Sequence, residues 1–331
     1  MRIFVTGSLG FIGSHLTTEL LARGHDVIGF DRSSPPADLP YRCRQGDVAG
    51  REELTGAVPA GTDLIVHLAA EHKDEGVEEG DYFRVNGQGT ANLLAEATRQ
   101  HVRRFLFVSS VAVYGETPGA SEQTRPCPQN PYGHSKLEAE RQVLAWAAGD
   151  PCHRALILRP TAVYGPGNRA NIYQLMKRVH DGRFLMVGSG EHVKSVAYVK
   201  NLVAAMQFLL ERWGQDSAGP DGEVLNYVDY PQLPLRDLVA LIASCSGRRV
   251  PALRIPVAAA EIGAGLLRLG ARLLGRGSVL SSDRMRKFAT PSWFRADRIR
   301  ELGFRQPFTV EEGLRETIRA DCADGRARAA A

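Results

Sequence analysis

Tyr132 and Lys136 occupy positions i and i+4 in Pro131-Tyr132-Gly133-His134-Ser135-Lys136. On a helix that spacing puts both side chains on one face, about one turn apart. An ammonium beside a phenol favours the phenolate and lowers a tyrosine pKa from about 10. Such a phenol can serve as general acid and base for an alcohol proton, provided a hydride carrier is held beside it. A site for a carrier stands near the start of the chain, in Thr6-Gly7-Ser8-Leu9-Gly10-Phe11-Ile12-Gly13.

In that string Gly7 and Gly10 allow a tight turn and the close approach of a pyrophosphate, and Gly13 lets a helix pack on the preceding strand. The helix start at Phe11 and Ile12 offers amide donors and the positive end of the dipole. Three glycines alone are a weak sign. Their position after a first strand and 24 residues before Asp31 makes a dinucleotide loop the stronger reading. Asp31 can accept from both ribose hydroxyls and would repel a 2′-phosphate, which favours NAD; Arg32 directly beside it leaves NADP open.

These residues need a scaffold, and the pattern of elements supplies one. Arg2–Thr6 reads as a buried strand, 11–23 as a helix ending at Gly24, and 27–30 as a second strand closing on Asp31. Residues 64–68, Arg104–Val108 and 155–158 read as further strands, and 89–100 and 132–146 as helices. The alternation predicts an α/β fold, a Rossmann-type doubly wound parallel sheet with helices on both sides. Beyond Arg169 the pattern loosens: 172–180, 201–210 and 235–243 are expected helices, 224–228 a strand and 211–222 a polar link. The expected organisation is an NAD-binding Rossmann domain over 1–168, with its last strand drawn from later in the chain. A smaller C-terminal α/β substrate-binding portion over 169–331 interleaves with it.

The 331 residues are long enough to bury a large core, and 44% hydrophobic with 24% charged residues is ordinary globular composition. The net charge of +4 is spread along the chain without basic runs interleaved with aromatics, so no nucleic-acid partner is expected. Five scattered cysteines, Cys43, Cys127, Cys152, Cys245 and Cys322, make neither a CxxC nor a Cys/His ligand spacing. They read as reduced thiols in a cytoplasmic enzyme with no zinc. No other cluster has metal-ligand spacing, since His67 lies on an apolar strand. The N-terminus runs straight into a strand, which argues against a cleaved signal peptide, and no apolar run approaches the roughly 18 residues of a spanning helix.

Several further strings follow the glycine loop. They are Asp47-Val48, His67-Leu68-Ala69-Ala70, Val85-Asn86-Gly87-Gln88-Gly89-Thr90, Ser109-Ser110-Val111-Ala112-Val113-Tyr114-Gly115 and Arg159-Pro160. With the Tyr132/Lys136 string, their order resembles the extended short-chain dehydrogenase/reductase family of nucleotide-sugar epimerases and dehydratases. The resemblance implies that Asp47 and Val48 lie along the adenine and Leu68, Ala69 and Ala70 along the dinucleotide. It implies cofactor contacts also for Asn86, Ser109, Tyr132, Lys136 and Pro160, and a catalytic hydroxyl at Ser110 beside Tyr132 and Lys136. Dehydratases of the family carry an acid pair immediately after that hydroxyl. Here the positions are Val111 and Ala112, which cannot transfer a proton, so dehydration is disfavoured. Epimerisation at one carbon, through oxidation and re-reduction, or one-way ketone reduction remains.

Finer strings resemble one subfamily, the bacterial 4-epimerases that act on N-acetylglucosaminyl diphospho-undecaprenol in surface polysaccharide synthesis. They include Glu71-His72-Lys73-Asp74, Asn168-Arg169-Ala170-Asn171-Ile172-Tyr173, Lys194-Ser195-Val196-Ala197-Tyr198-Val199 and Arg286-Lys287-Phe288-Ala289-Thr290. Related 4-keto-sugar reductases share parts of them. The resemblance implies a diphosphate-linked sugar as partner, with His72, Ser110, Asn168, Arg169, Asn171 and Lys194 as candidate substrate residues, although for 71–74 a solvated loop is the default. Two departures from the soluble UDP-sugar epimerases stand out: Ala162 where an asparagine holds the diphosphate, and Lys194 in place of a phosphate-gripping arginine. A lipid carrier would need access to a membrane. Residues 256–277 place Ile262, Leu266, Leu269 and Leu273 at helical spacing beside Arg268, Arg272 and Arg276. The segment reads either as a core-packing helix or as a peripheral contact on the cytoplasmic face of the inner membrane. The family commonly forms homodimers, which are expected here. The leading reading is an NAD-dependent 4-epimerase of GlcNAc and GalNAc on undecaprenyl diphosphate or UDP. An NAD(P)H-dependent 4-keto-sugar reductase comes second and a silent NAD-sensing scaffold third.

Overall fold

Ile3, Phe4 and Val5 are fully buried, because β1 (Arg2–Thr6) runs through the middle of a seven-stranded parallel sheet. On one side β1 pairs with β2 (Asp26–Asp31), which in turn pairs with β3 (Arg42–Gln45). On the other side follow β4 (Leu64–His67), β5 (Arg104–Val108), β6 (Arg154–Pro160) and, last, the strand Glu223–Tyr227. Phe4, Ile65, Phe105, Phe107 and Ile157 pack into one core cluster with Leu93, Ala97, Ala139 and Val143 of the helices Gly89–Arg99 and Pro131–Ala148. The alternate strand residues Ile3, Val5, Leu64, Val66, Leu106 and Leu156 are equally buried. Both faces of the sheet are therefore covered, the Rossmann-type arrangement that the apolar runs predict.

The computed structural model describes residues 1–73, 76–215, 222–249, 254–256 and 292–329. Asp74, residues 257–277 of the amphipathic segment and the string 286–290 lie outside them. Among the described residues no helix is long and apolar enough to cross a membrane. The chain divides into two compact units. The first takes Met1–Thr161, Val199–Val228 and Phe294–Pro307; the second takes Ala162–Tyr198, Asp229–Trp293 and Phe308–Ala331.

Sequence patterns did not disclose β3. Its residues Arg42, Cys43, Arg44 and Gln45 are exposed or half-buried, since an edge strand needs no apolar face and charged side chains there discourage further pairing. The helix expected from Gly89 is also preceded by a helical turn at Glu79–Tyr82 and a wider, π-type stretch at Phe83–Gln88 that carries Asn86.

Two buried polar systems fix the first unit. In the first, the Ala69 amide donates to Thr6 Oγ1 (3.3 Å), and Thr6 Oγ1 lies 2.7 Å from His67 Nδ1. His67 Nε2 lies 3.1 Å from Thr90 Oγ1, which donates to the Asn86 carbonyl (2.5 Å). Because the Thr90 proton is used on that carbonyl, the imidazole must donate from Nε2 and accept at Nδ1. It is neutral: burial, reinforced by the charge of Lys136, pushes its pKa down to about 3. In the second system, Arg159 on β6 makes a bidentate pair with Glu140, at 2.8 and 2.5 Å, and both side chains are almost fully buried. The same guanidinium donates to Tyr114 Oη (2.7 Å), which donates to Asn226 Oδ1 (2.9 Å). Asn226 Nδ2 reaches the Arg295 carbonyl (2.8 Å).

The second unit is built from short strands: Ala162–Tyr164 parallel to Val196–Tyr198, Met186–Val187 parallel to Arg254–Ile255, and Val193–Lys194 antiparallel to Leu233–Pro234. The helices Asn171–His180, Leu235–Cys245 and Val310–Ala329 also belong to it. Buried Tyr164 and Tyr198 meet at 5.5 Å between ring centroids. Gly313 lets the last of these helices lie against them, since a Cβ there would come within 2.7 Å of both rings' atoms.

Removing one partner of the Arg159–Glu140 pair strands a charge in the interior. Glu140→Gln is expected to cost about 3–5 kcal/mol of stability. Chemical denaturation would read this as a lower midpoint; a loss below about 1 kcal/mol would contradict the role given to the pair.

Candidate active site

The loop after β1 is shaped by close approach. Gly7 sits at φ +68°, and a Cβ on it would lie 2.8 Å from the Ala69 amide nitrogen. A Cβ on Gly13 would lie 2.0 Å from the Gly7 carbonyl oxygen, so only glycine allows the helix Phe11–Ala22 to begin where it does. Gly10 caps that helix without a side chain, leaving the first-turn amides of Phe11 and Ile12 as an anion site. Asp31, buried at the end of β2, accepts from the Leu9 amide on Oδ2 (3.0 Å) and from the Ser33 amide on Oδ1 (2.9 Å). A carboxylate has about four acceptor positions, so each oxygen retains one for a ribose hydroxyl.

Around this loop the residues singled out from the sequence take distinct positions. The Leu68 amide donates to the Thr6 carbonyl (3.2 Å) and Ala69 to Thr6 Oγ1, which brings the 68–70 segment against the glycine loop. Asp47 binds Arg84 (2.8 Å) and the Ala49 amide (2.9 Å). Burial would raise its pKa, but these partners hold the carboxyl below the usual range. Val48 is buried against Gly89. Asn86 is a structural clamp: Oδ1 accepts from the Glu71 amide (2.9 Å), and Nδ2 donates to the Glu71 carbonyl (3.0 Å) and to Ser135 Oγ (2.9 Å). Pro160, buried, closes β6.

Glu71 departs from the solvated loop expected of it. Its side chain is only 8% exposed and pairs with Arg32 (3.2 Å), while Oε1 accepts from the amides of His72 (3.1 Å) and Lys73 (3.2 Å). Three donors, one each from Arg32, His72 and Lys73, compensate its burial, and such compensation is invisible in a short polar string. His72 itself is exposed.

Ser110 follows β5 and caps a tight turn, Val111–Tyr114, with Oγ accepting from the Ala112 amide (3.1 Å). Its hydroxyl proton remains to be donated elsewhere. The helix Pro131–Ala148 starts with Asn130 Oδ1 accepting from the Gly133 amide (2.7 Å) and with proline in its first turn. Gly133 brings that start onto the turn: a Cβ there would stand 2.6 Å from the Ala112 carbonyl oxygen. Tyr132 is half-buried, its ring edge-on to Tyr82 at 6.2 Å. Lys136 is buried, with Nζ donating to the Val108 carbonyl (2.8 Å) and lying 4.5 Å from the Phe107 ring centroid. Burial pushes its pKa down to about 7, against the pull of the Glu140 carboxylate. Ser109 Oγ is buried with no hydrogen-bond partner among the described residues. An orphaned hydroxyl, an uncapped helix start and spare acceptors on Asp31 fit a dinucleotide laid over the carboxyl ends of β1, β4 and β5.

In the second unit Asn168 secures its own loop, donating to the Val163 carbonyl (2.7 Å) and accepting from the Ala170 amide (2.6 Å). The Arg169 guanidinium lies 4.6 Å from the Tyr173 ring centroid. Asn171 is exposed at the start of its helix. Lys194 is half-buried, and desolvation pushes its pKa down to about 8. Arg84, Gly133 and Ser135 were not singled out in the sequence, and no motif marks Arg84 as the partner of Asp47.

Residues 3–226 match the model of the NAD dependent epimerase/dehydratase family. The chain belongs to that family. With it come the cofactor, NAD, and epimerase/dehydratase chemistry. The chain is 34% identical over 319 residues to the N-acetyl-alpha-D-glucosaminyl-diphospho-ditrans,octacis-undecaprenol 4-epimerase of Escherichia coli O157:H7, covering 96% of this chain and 94% of that one. It is 32% identical to the 2-alkyl-3-oxoalkanoate reductase of Stenotrophomonas maltophilia, over 95% of this chain and 98% of that one. Among solved structures it resembles MoeE5 in complex with UDP-glucuronic acid and NAD, at TM-score 0.75 and 26% identity, covering 98% of this chain and all of that one.

The space that Gly13 leaves is the most local test of the NAD cradle. Gly13→Ala is expected to weaken NAD binding tenfold or more in a calorimetric titration, because the loop must move to admit the methyl group. Unchanged affinity would contradict the packing described.

Proposed function

We propose that the protein is an NAD-dependent sugar 4-epimerase that interconverts GlcNAc and GalNAc on a diphosphate carrier, undecaprenyl diphosphate or UDP, through a transient 4-keto sugar. The observation that carries this reading is the turn after β5. It offers one hydroxyl, Ser110, followed by Val111 and Ala112, at the helix that bears Tyr132 and Lys136. No acid stands at those two positions to expel a neighbouring hydroxyl, so the chemistry stays at one carbon. The 34% identity to a lipid-linked GlcNAc 4-epimerase over 96% of the chain supports the same substrate class.

NAD, when bound, supplies a hydride acceptor and then a hydride donor at that carbon. Tyr132 accepts the C4 hydroxyl proton at Oη and returns it to the oxygen after the keto sugar has presented its other face. Ser110 donates its free hydroxyl proton to the same oxygen and stabilises developing negative charge. Lys136, anchored on the Val108 carbonyl, supplies the positive field that favours the phenolate. Asn168, Arg169, Asn171 and Lys194 are proposed for the sugar diphosphate, with Lys194 acting as a point charge rather than a bidentate fork. Homodimerisation and peripheral contact with the cytoplasmic face of a membrane belong to this reading when the carrier is undecaprenyl diphosphate.

The 32% identity to a ketone reductase favours a second reading, one-way reduction of a 4-keto sugar with NAD(P)H. Incubation of the purified enzyme with lipid-linked and UDP-linked GlcNAc, without added reductant, separates the two. The galacto epimer is expected; product formed only from a 4-keto substrate with stoichiometric NAD(P)H would establish the reductase instead. In the same assay Tyr132→Phe should bind NAD normally and lose about 10²–10⁴-fold in turnover. Near-normal turnover would remove Tyr132 from the proton-transfer role.

A further inference from the structure

Arg32 and Glu71 come from either side of the glycine loop. In the sheet β1 lies between β2 and β4; Arg32 directly follows β2, and Glu71 ends the short segment after β4. Their ion pair, at 3.2 Å, therefore spans the carboxyl end of β1, where the Rossmann fold holds its dinucleotide. The two partners are unequal. Glu71 is 8% exposed at its side chain and is fixed through Oε1 by the His72 and Lys73 amides. Its backbone N–H and C=O are both clamped by Asn86, itself held by Ser135. Arg32 is 61% exposed, and its guanidinium is the group that goes to meet the carboxylate.

Arg32 is also the side chain that the sequence leaves ambiguous. An arginine immediately after the acidic end of β2 is placed to accommodate a 2′-phosphate on the adenosine ribose. We infer that Glu71 is a cofactor-selecting residue: it engages the Arg32 guanidinium and withdraws it from a 2′-phosphate, leaving Asp31 to receive an unmodified ribose diol. Selection for NAD then has two components. Asp31 repels the 2′-phosphate directly, and Glu71 occupies the cation that would otherwise compensate that repulsion. To recruit Arg32, NADP would have to separate the exposed guanidinium from a carboxylate whose position the His72 and Lys73 amides fix. Glu71 is a positioning residue in this scheme; it acts through Arg32.

The inference rests on the NAD cofactor and not on the identity of the sugar, so its test uses no sugar. Dissociation constants of NAD⁺ and NADP⁺ are measured by isothermal titration calorimetry on the intact protein, on Glu71→Gln, on Arg32→Ala and on the double variant. Glutamine retains an acceptor for the backbone amides but loses the charge. Glu71→Gln is expected to lower the NADP⁺-to-NAD⁺ ratio of dissociation constants about tenfold, with NAD⁺ affinity changed less than about threefold. In the double variant the ratio should return to within about twofold of the intact protein, because the released guanidinium is gone. Arg32→Ala alone should leave the ratio within about twofold, and this exposed substitution keeps the question decidable if Glu71→Gln fails to fold. Equal weakening of both nucleotides in Glu71→Gln, which a merely structural role would produce, overturns the inference. So does a tenfold rise of the ratio in Arg32→Ala, which would show Arg32 already serving the 2′-phosphate.

Discussion

The buried pair between Arg159 and Glu140 joins the parts that the site requires. Arg159 belongs to β6 and Glu140 to the helix that carries Tyr132 and Lys136. Through Tyr114 the same guanidinium holds the turn that starts at Ser110, and through Asn226 that turn is tied to the seventh strand. A buried ion pair is poor evidence of stability when compared with an apolar replacement, because desolvating both charges opposes their attraction. Here its value is geometric. The bidentate contact and the third bond to Tyr114 fix the register of helix, turn and strand at once.

The electrostatics of the first unit follow from what surrounds each group. His67 is neutral because it is enclosed, with both nitrogens engaged by threonines, so it acts as a rigid spacer between β1 and the helix after Asn86. Lys136 is brought down to about 7 by the same enclosure, yet it keeps an acceptor at Val108 and an aromatic face at Phe107. Ser109, by contrast, has its hydroxyl buried without a partner among the described residues.

Local patterns made most of the scaffold legible. The apolar runs of β1, β2, β4, β5 and β6, and the helices after Gly10 and Asn130, follow from periodicity, glycine placement and capping, each set within a few neighbouring residues. What stayed hidden depends on distant partners or on the absence of an apolar face. β3 is polar because it is an edge. Asn86 reads as a cofactor residue by resemblance, but both its amide protons serve Glu71 and Ser135. The string around Glu71 reads as a solvated loop until its burial and three donors are known. Lys194 marks a candidate phosphate contact in the sequence, while its half-burial follows from the second unit's packing.

By itself the sequence determined the local elements of the machine: a glycine-rich loop after the first strand, an acidic strand end, and a tyrosine and lysine one helical turn apart. Those features are short-range, and the chemistry of a peptide segment is largely written in its own residues. Only the tertiary structure decided what Arg32 does. Its partner Glu71 is 39 residues away, and the two meet because parallel pairing sets β2 and β4 on either side of β1. No spacing rule connects them, since the distance between them is measured across the sheet and not along the chain.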